Sequence, residues 1–170
     1  DVTVAEYLKM IEYKTAVLVG AAMQMGAIVS KASDEDQKAI YNFGRYLGIA
    51  FQLQDDYLDA FGNPETFGKQ VGGDILENKK TYLYLKTMEL GSSEAQTKLV
   101  KTMTDTVISD MEKVETIKKL FRSSGASEAT QNAVKEYTNK AFVVLDTLNI
   151  SDDKKQVLKV FGEQLMNRRV

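Results

Sequence analysis

The sequence predicts an all-α fold. A single proline, Pro64, stands in 170 residues, so almost nothing interrupts a helix. Apolar residues recur at helical spacing along nearly the whole chain, and no window keeps the period-two alternation of a half-buried strand. There is no internal repeat and no low-complexity tract. Hydrophobic residues make up 44% and charged residues 27%, the profile of a globular chain rather than a disordered one. By length alone the chain is one domain, large enough to bury a core.

Each helix has a local reason. Thr3-Val4-Ala5-Glu6 reads as a capping box, in which the Thr hydroxyl and the Glu carboxylate satisfy each other's free amides. Behind it Val4, Tyr7, Leu8 and Ile11 share one helical face. From Lys14 to Ser30 the pattern is apolar on most sides, with Ala16, Gly20, Ala21, Ala22, Gly26 and Ala27 as small residues, which predicts a helix packed closely on several neighbours. Ser33 with Asp36 opens the next helix, which runs through Gly44, Gly48 and Phe51 to about Leu58. Each glycine costs about 1 kcal/mol of helix propensity relative to alanine, and two of them one turn apart predict a neighbouring backbone at close range.

Phe61 to Asp74 has a different texture. Gly62-Asn63-Pro64 is a turn signal, Gly68, Gly72 and Gly73 follow, and the stretch reads as one long loop of the kind that is functional in compact domains. Helices are then predicted from Asn78 to Leu90, stopping at Gly91, from Ser93 to about Met103, from Asp105 to Arg122, ending near Gly125, and from Ser127 to Leu148. The last runs from a Ser151 cap, with Asp152 and Asp153 in its first turn and Arg168 and Arg169 in its last, an order that suits the helix dipole.

Composition removes whole classes of chemistry. With 22 basic and 24 acidic residues the formal charge is −2, which argues against a basic surface that coats nucleic acid. The chain has no cysteine and no histidine, so thiolate nucleophiles, Cys-ligated zinc and the commonest general base are all excluded. Any chemistry rests on carboxylates, lysines, arginines, hydroxyls, amides or a hard cation held by oxygen. Asp1-Val2-Thr3-Val4 carries no signal-peptide pattern, and the apolar stretch from Ala16 to Val29 is interrupted by Gln24 and falls short of the ~20 residues a spanning helix needs. The expectation is a soluble, cytoplasmic protein that does not span a membrane. The chain opens on Asp1 rather than Met, which fits either a processed chain or a piece of a longer one.

The informative segment is Phe51-Gln52-Leu53-Gln54-Asp55-Asp56-Tyr57-Leu58-Asp59. On a helix Asp55 and Asp59 lie one turn apart on one face, with Asp56 beside them, and like charges at that spacing repel. A solvated acidic turn is one reading. The other follows from the apolar neighbours Phe51, Leu53, Tyr57, Leu58 and Phe61: carboxylates at the rim of an apolar wall need a counter-charge, and three of them suit a hard cation. Mg²⁺ fits best, because it keeps waters and is shared between one or two carboxylates and substrate phosphates. Lys69 in the glycine loop, Lys79 and Lys80 at the following helix start, and Lys14-Thr15 within an apolar segment are either solvated or placed to hold a phosphorylated ligand.

Taken together, Gln52 with the Asp55, Asp56, Asp59 triplet, then Lys69, Gly72-Gly73-Asp74 and Lys79, with Tyr13-Lys14-Thr15-Ala16 upstream, resemble the trans-isoprenyl diphosphate synthases of the polyprenyl synthetase family. Phe-Gln-x-x-Asp-Asp-x-x-Asp looks like that family's second aspartate-rich motif. The resemblance covers essentially residues 1–170, but as the C-terminal portion of a single isoprenoid-synthase domain.

What the resemblance implies is a Mg²⁺-dependent prenyltransferase that condenses isopentenyl diphosphate with an allylic diphosphate. Asp55 is expected to hold Mg²⁺ directly, and Asp56 and Asp59 to act as ligands or through metal-bound water. Lys14 and Lys69 are expected to contact the leaving diphosphate, with Lys79 nearby. Thr15 and Gln52 are expected to face the developing cation, and Arg168 and Arg169 to help close the isopentenyl diphosphate site. Family members are commonly homodimers. The first aspartate-rich motif and the early Gly-Lys-x-x-Arg segment are absent from the chain, so by itself it is expected to be inactive. Two alternatives stand beside this: a terpene cyclase or squalene-synthase relative, and a non-catalytic helical subunit of a prenyl synthase.

Overall fold

The computed structural model describes residues 2–63 and 71–167. Among them there is no strand, and the all-α class stands. In chain order the elements are α1 (Val4–Ile11), a π-helical stretch (Glu12–Ala16), α2 (Val17–Val29), α3 (Asp34–Phe61), α4 (Gly73–Leu76), α5 (Tyr82–Leu90), α6 (Ser93–Thr104), α7 (Asp110–Ser123), α8 (Ala126–Asp146) and α9 (Asp152–Met166). Among the described residues no helix is long and apolar enough to cross a membrane. The chain divides into two compact units. One comprises residues up to Tyr7 with Leu53–Asn132, and the other Leu8–Gln52 with the segment from Ala133 onward.

In the second unit, Leu8–Ile11 continue through the π stretch into α2 without a break, where the sequence spacing predicts two separate helices. The i→i+5 turn accommodates one extra residue and leaves the rod intact. Against this stretch lies α3, and its glycines are what permit the approach. A Cβ on Gly48 would stand 2.6 Å from the Ala16 Cα, and one on Gly44 would stand 3.0 Å from the Gly20 Cα, so the backbones meet where the sequence places two glycines one turn apart. The core of this unit is built on Phe43, Leu47, Ala141, Leu145 and Leu148, all buried. Ser33 begins α3 as expected: its hydroxyl accepts the Asp36 amide at 3.1 Å. The Asp36 carboxylate also accepts the Asn149 amide at 2.8 Å, which ties the α8–α9 connection to the start of α3.

In the first unit, the Thr3 hydroxyl accepts the Glu6 amide at 3.2 Å and Glu6 accepts the Thr3 amide at 2.9 Å, the predicted capping box. The core gathers Ala60, Ile75, Leu83, Leu99, Ile117 and Phe121. Three boundaries differ from the sequence expectation. Helix α5 starts at Tyr82, not Asn78, because Asn78 takes φ 57° and ends the preceding turn in the left-handed region. Lys79 and Lys80 therefore lie in the connection before α5 rather than at a helix start. Helix α7 starts at Asp110, because the Asp105 carboxylate instead accepts the amides of Val107 and Ile108 at 2.8 and 3.2 Å and holds a turn. The expected loop from Phe61 to Asp74 is bounded by α3, which reaches Phe61, and by α4, which begins at Gly73; residues 64–70 between them, Lys69 included, lie outside the described residues.

Replacing Gly48 with valine is expected to cost about 1–3 kcal/mol, the usual penalty for overpacking a closed contact. Thermal denaturation reads this as a lowered midpoint, and a Gly48→Val midpoint equal to that of the wild type would contradict the close approach of α3 to Ala16.

Candidate functional site

Helix α3 is charged in the same sense at both ends. Asp34, Glu35 and Asp36 occupy its first turn, where the dipole favours them. Asp55, Asp56 and Asp59 crowd the opposite end, whose last turn holds no basic residue. An acid near the carbonyl end of a helix is disfavoured by about 0.3–1 kcal/mol, and neighbouring carboxylates repel further.

The three carboxylates are compensated in different ways, all within the first unit. Asp56 is buried, only 4% exposed. The Tyr7 hydroxyl donates to its Oδ2, and the Tyr82 amide approaches the same oxygen at 3.4 Å. Burial first, and then the Asp56 charge and hydrogen bond, push the Tyr7 hydroxyl far above its ordinary pKa, so Tyr7 keeps its proton and remains a donor. Asp59 is half-buried, and its Oδ2 accepts the Asp74 amide at 3.0 Å. Burial pushes its carboxyl up to about 6; the charges of Asp74 and Asp55 add to the rise, against the Asp74 amide and Lys79. Asp55 is partly exposed and has no hydrogen bond or ion pair among the described residues.

Facing Asp59 is the turn at α4. Gly72 has φ 86°, its amide donates to the Asp59 carbonyl at 2.6 Å, and a Cβ there would fall 2.7 Å from a Val114 methyl, so only glycine fits. Asp74 follows in the first turn of α4, and the Lys79 ammonium reaches it at 2.8 Å and Glu77 at 2.7 Å. The hydrogen bonds to Asp74 and then Glu77 hold Lys79 above its ordinary pKa. Asp74 is thus a further carboxylate at this helix end. The sequence marks it through Gly72-Gly73-Asp74 but assigns it no role.

In the second unit, Lys14 and Thr15 sit in the π stretch. The Thr15 hydroxyl donates to Gln52 Oε1 at 3.3 Å, and Gln52 lies one turn after Gly48, whose missing side chain lets α3 come this near. Lys14 is exposed. The same stretch is anchored by Glu12, which accepts from Arg45 Nη1 at 2.6 Å. The π turn is a feature the sequence spacing does not reveal, and such turns are frequent at functional sites.

The structure therefore brings Thr15 to Gln52, and Asp59 to Asp74 and Lys79. Asp56, expected as a ligand or water-mediated partner of an ion, is engaged by Tyr7 and Tyr82. Lys69, Arg168 and Arg169 lie outside the described residues. Among the described residues no three carboxylates converge closely enough to enclose an ion by themselves. The donor set is all oxygen, with one carboxylate unpartnered and its neighbour pushed up to about 6 by burial. That suits a hard cation which keeps waters and shares itself with a phosphate.

The chain matches a crystal structure of a geranylgeranyl pyrophosphate synthase with TM-score 0.92 and 49% identity, covering 100% of this chain and 53% of that one. It matches a polyprenyl synthase from Caulobacter crescentus, complexed with calcium and isoprenyl diphosphate, with TM-score 0.90 and 29% identity over 100% of this chain and 51% of that one. The sequence profile of the polyprenyl synthetase family matches residues 1–124, and the short chain isoprenyl diphosphate synthase of Methanothermobacter thermautotrophicus is 34% identical over 99% of this chain and 50% of its own length. The chain belongs to the polyprenyl synthetase family. It spans about half the length of the curated relatives it matches.

Replacing Tyr7 with phenylalanine removes a donor from the buried Asp56 carboxylate and is expected to cost about 1–3 kcal/mol. Urea denaturation with an unchanged midpoint in Tyr7→Phe would contradict the structural weight placed on this bond.

Proposed function

We propose that this chain supplies one metal- and diphosphate-binding part of a Mg²⁺-dependent prenyltransferase, which condenses isopentenyl diphosphate with an allylic diphosphate to give a longer isoprenyl diphosphate. The observation that carries this is Asp55: a carboxylate with no hydrogen bond or ion pair among the described residues, one turn from an Asp59 whose burial and like-charged neighbours already favour neutralisation. The Caulobacter crescentus relative, complexed with calcium and isoprenyl diphosphate, adds support by likeness.

In the reaction, the allylic C–O bond breaks with its electron pair leaving on diphosphate, the isopentenyl double bond attacks the allylic carbon to form a C–C bond, and a proton is lost. Bound Mg²⁺ supplies the positive charge that stabilises diphosphate as it leaves. Asp55 would hold the ion, and Asp59 would contribute directly or through metal-bound water. Asp56, bonded to Tyr7 and Tyr82, fixes the helix end that carries them. Lys14, Lys69 and Lys79 offer ammonium charge to the diphosphate. The Thr15 and Gln52 oxygens, held to each other, face the developing cation. Arg168 and Arg169 help close the isopentenyl diphosphate site. Along the helical rod beyond Lys14, Leu18 is 69% exposed and Val29 83%, apolar surface suited to a hydrocarbon chain.

Because the chain spans about half of its relatives and holds one aspartate-rich motif, we assign catalysis to the whole protein, as part of a single isoprenoid-synthase domain, acting as a homodimer in the cytoplasm. Asp55→Ala in the whole protein is expected to lower kcat/KM by at least about a hundredfold, the upper end of what even outer-shell partners of a metal are worth. Chromatography of products from dimethylallyl and isopentenyl diphosphates reads the outcome. Unchanged turnover would refute the metal role, and elongated product from the 170-residue chain alone would refute the assignment of catalysis to the whole.

A further inference from the structure

Lys113 is a lysine where lysines seldom are. It is 7% exposed on α7, and its ammonium donates to Asn78 Oδ1 at 2.7 Å and to the Met103 carbonyl at 2.9 Å, two neutral oxygens. Its charge acts on Asp105, whose carboxyl is lowered chiefly by its turn amides and in smaller part by Lys101 and Lys113. Burying an ammonium against neutral acceptors is unfavourable unless those bonds accomplish something, since an apolar side chain of the same length fills such a site as well.

What the bonds hold is the end of the α4 turn. Asn78 sits at φ 57°, its amide donates to the Ile75 carbonyl at 3.1 Å, and the Lys79 amide that follows donates to the Asp74 carbonyl at 2.9 Å. The next residue on α7, Val114, packs where a Gly72 side chain would be. Consecutive residues of α7 thus grip both ends of one turn: Val114 at Gly72, Lys113 at Asn78. Between those ends lies Asp74, bonded through its amide to Asp59, and just beyond lies Lys79, bonded to Asp74.

We propose that Lys113 is a positioning residue for diphosphate binding: by clamping Asn78 in its left-handed conformation it fixes Lys79 and Asp74 against Asp59, without touching the ligand itself. This rests on the function proposed above. It separates Lys113 from the other lysines, which offer their charge to the ligand, because here the charge is spent within the protein on aiming another.

The test is a double-mutant cycle on the whole protein, using isothermal titration of inorganic pyrophosphate at saturating Mg²⁺. Lys113→Met is expected to weaken pyrophosphate roughly tenfold, as loss of an outer-shell partner does, and to lower the melting temperature, because Asn78 Oδ1 and the Met103 carbonyl lose their donor. In the Lys79→Ala background the same change is expected to have a much smaller effect, because Lys113 acts chiefly through Lys79. Amide exchange over Asp74–Lys80 is expected to quicken in Lys113→Met even without ligand. Asn78→Gly keeps the left-handed backbone and removes only the amide that Lys113 holds. It is expected to reproduce the loss and covers the case in which Lys113→Met does not fold. Wild-type affinity in Lys113→Met or in Asn78→Gly, an equal loss with and without Lys79, or unchanged amide exchange overturns the positioning role. A wild-type protein that binds no pyrophosphate overturns the proposed function itself, and the role of Lys113 in binding falls with it.

Discussion

Three carboxylates at the carbonyl end of a helix, with no base in the last turn, form the constraint around which the first unit is arranged. The helix dipole disfavours Asp59, which lies in the last turn, and mutual repulsion disfavours all three. Two are relieved from within: Asp56 by Tyr7 and Tyr82, Asp59 by the amide that opens α4. The relief is incomplete at Asp59, whose carboxyl remains pushed up to about 6, and Asp55 has no partner among the described residues. This arrangement satisfies two acids through protein donors and leaves the third partly exposed, as the proposed cation site would require. The α4 turn, with Gly72 at φ 86° and Asn78 at φ 57°, exists to bring the Asp74 amide and the Lys79 ammonium to that end.

The second unit solves a different problem, the placing of Thr15 and Gln52 within hydrogen-bond reach on two helices. Ordinary helix axes stand 8–10 Å apart or so. Gly44 and Gly48 let the backbones come nearer, and the π turn re-aims Lys14 and Thr15 without breaking the helical run from Leu8 to Val29. The helix propensity lost at two glycines and the poorer hydrogen bonding of a π turn are local disadvantages, and a structure meant only to be stable would carry neither.

Much of this was legible because it is local. The pairs Thr3–Glu6 and Ser33–Asp36 stand three residues apart and cap as their spacing requires. The glycine pair announced a close approach because a helix interior tolerates glycine only for a reason. The aspartate motif marks the helix end that the proposed cation would occupy, and no histidine or cysteine competes for the role. The π turn was not legible, since one added residue scarcely disturbs an apolar pattern that runs on every side. Spacing alone sets Lys79 at a helix start, although Asn78 before it is a residue type that takes the left-handed region readily. Nor could spacing reveal the donors to Asp56 and Asn78, because Tyr7 stands 49 residues from Asp56 and Lys113 stands 35 from Asn78. Residues that bind are recognisable by type and neighbours, whereas residues that position them are found only once the chain has folded.

The central claim is that Asp55 presents its carboxylate to a divalent cation shared with diphosphate. Crystals of the whole protein grown with Mn²⁺ and inorganic pyrophosphate, with diffraction collected at the manganese absorption edge, test it most directly. The expected result is an anomalous peak within coordination distance of the Asp55 carboxylate and of a pyrophosphate oxygen. Bound pyrophosphate with no manganese at Asp55 would contradict it.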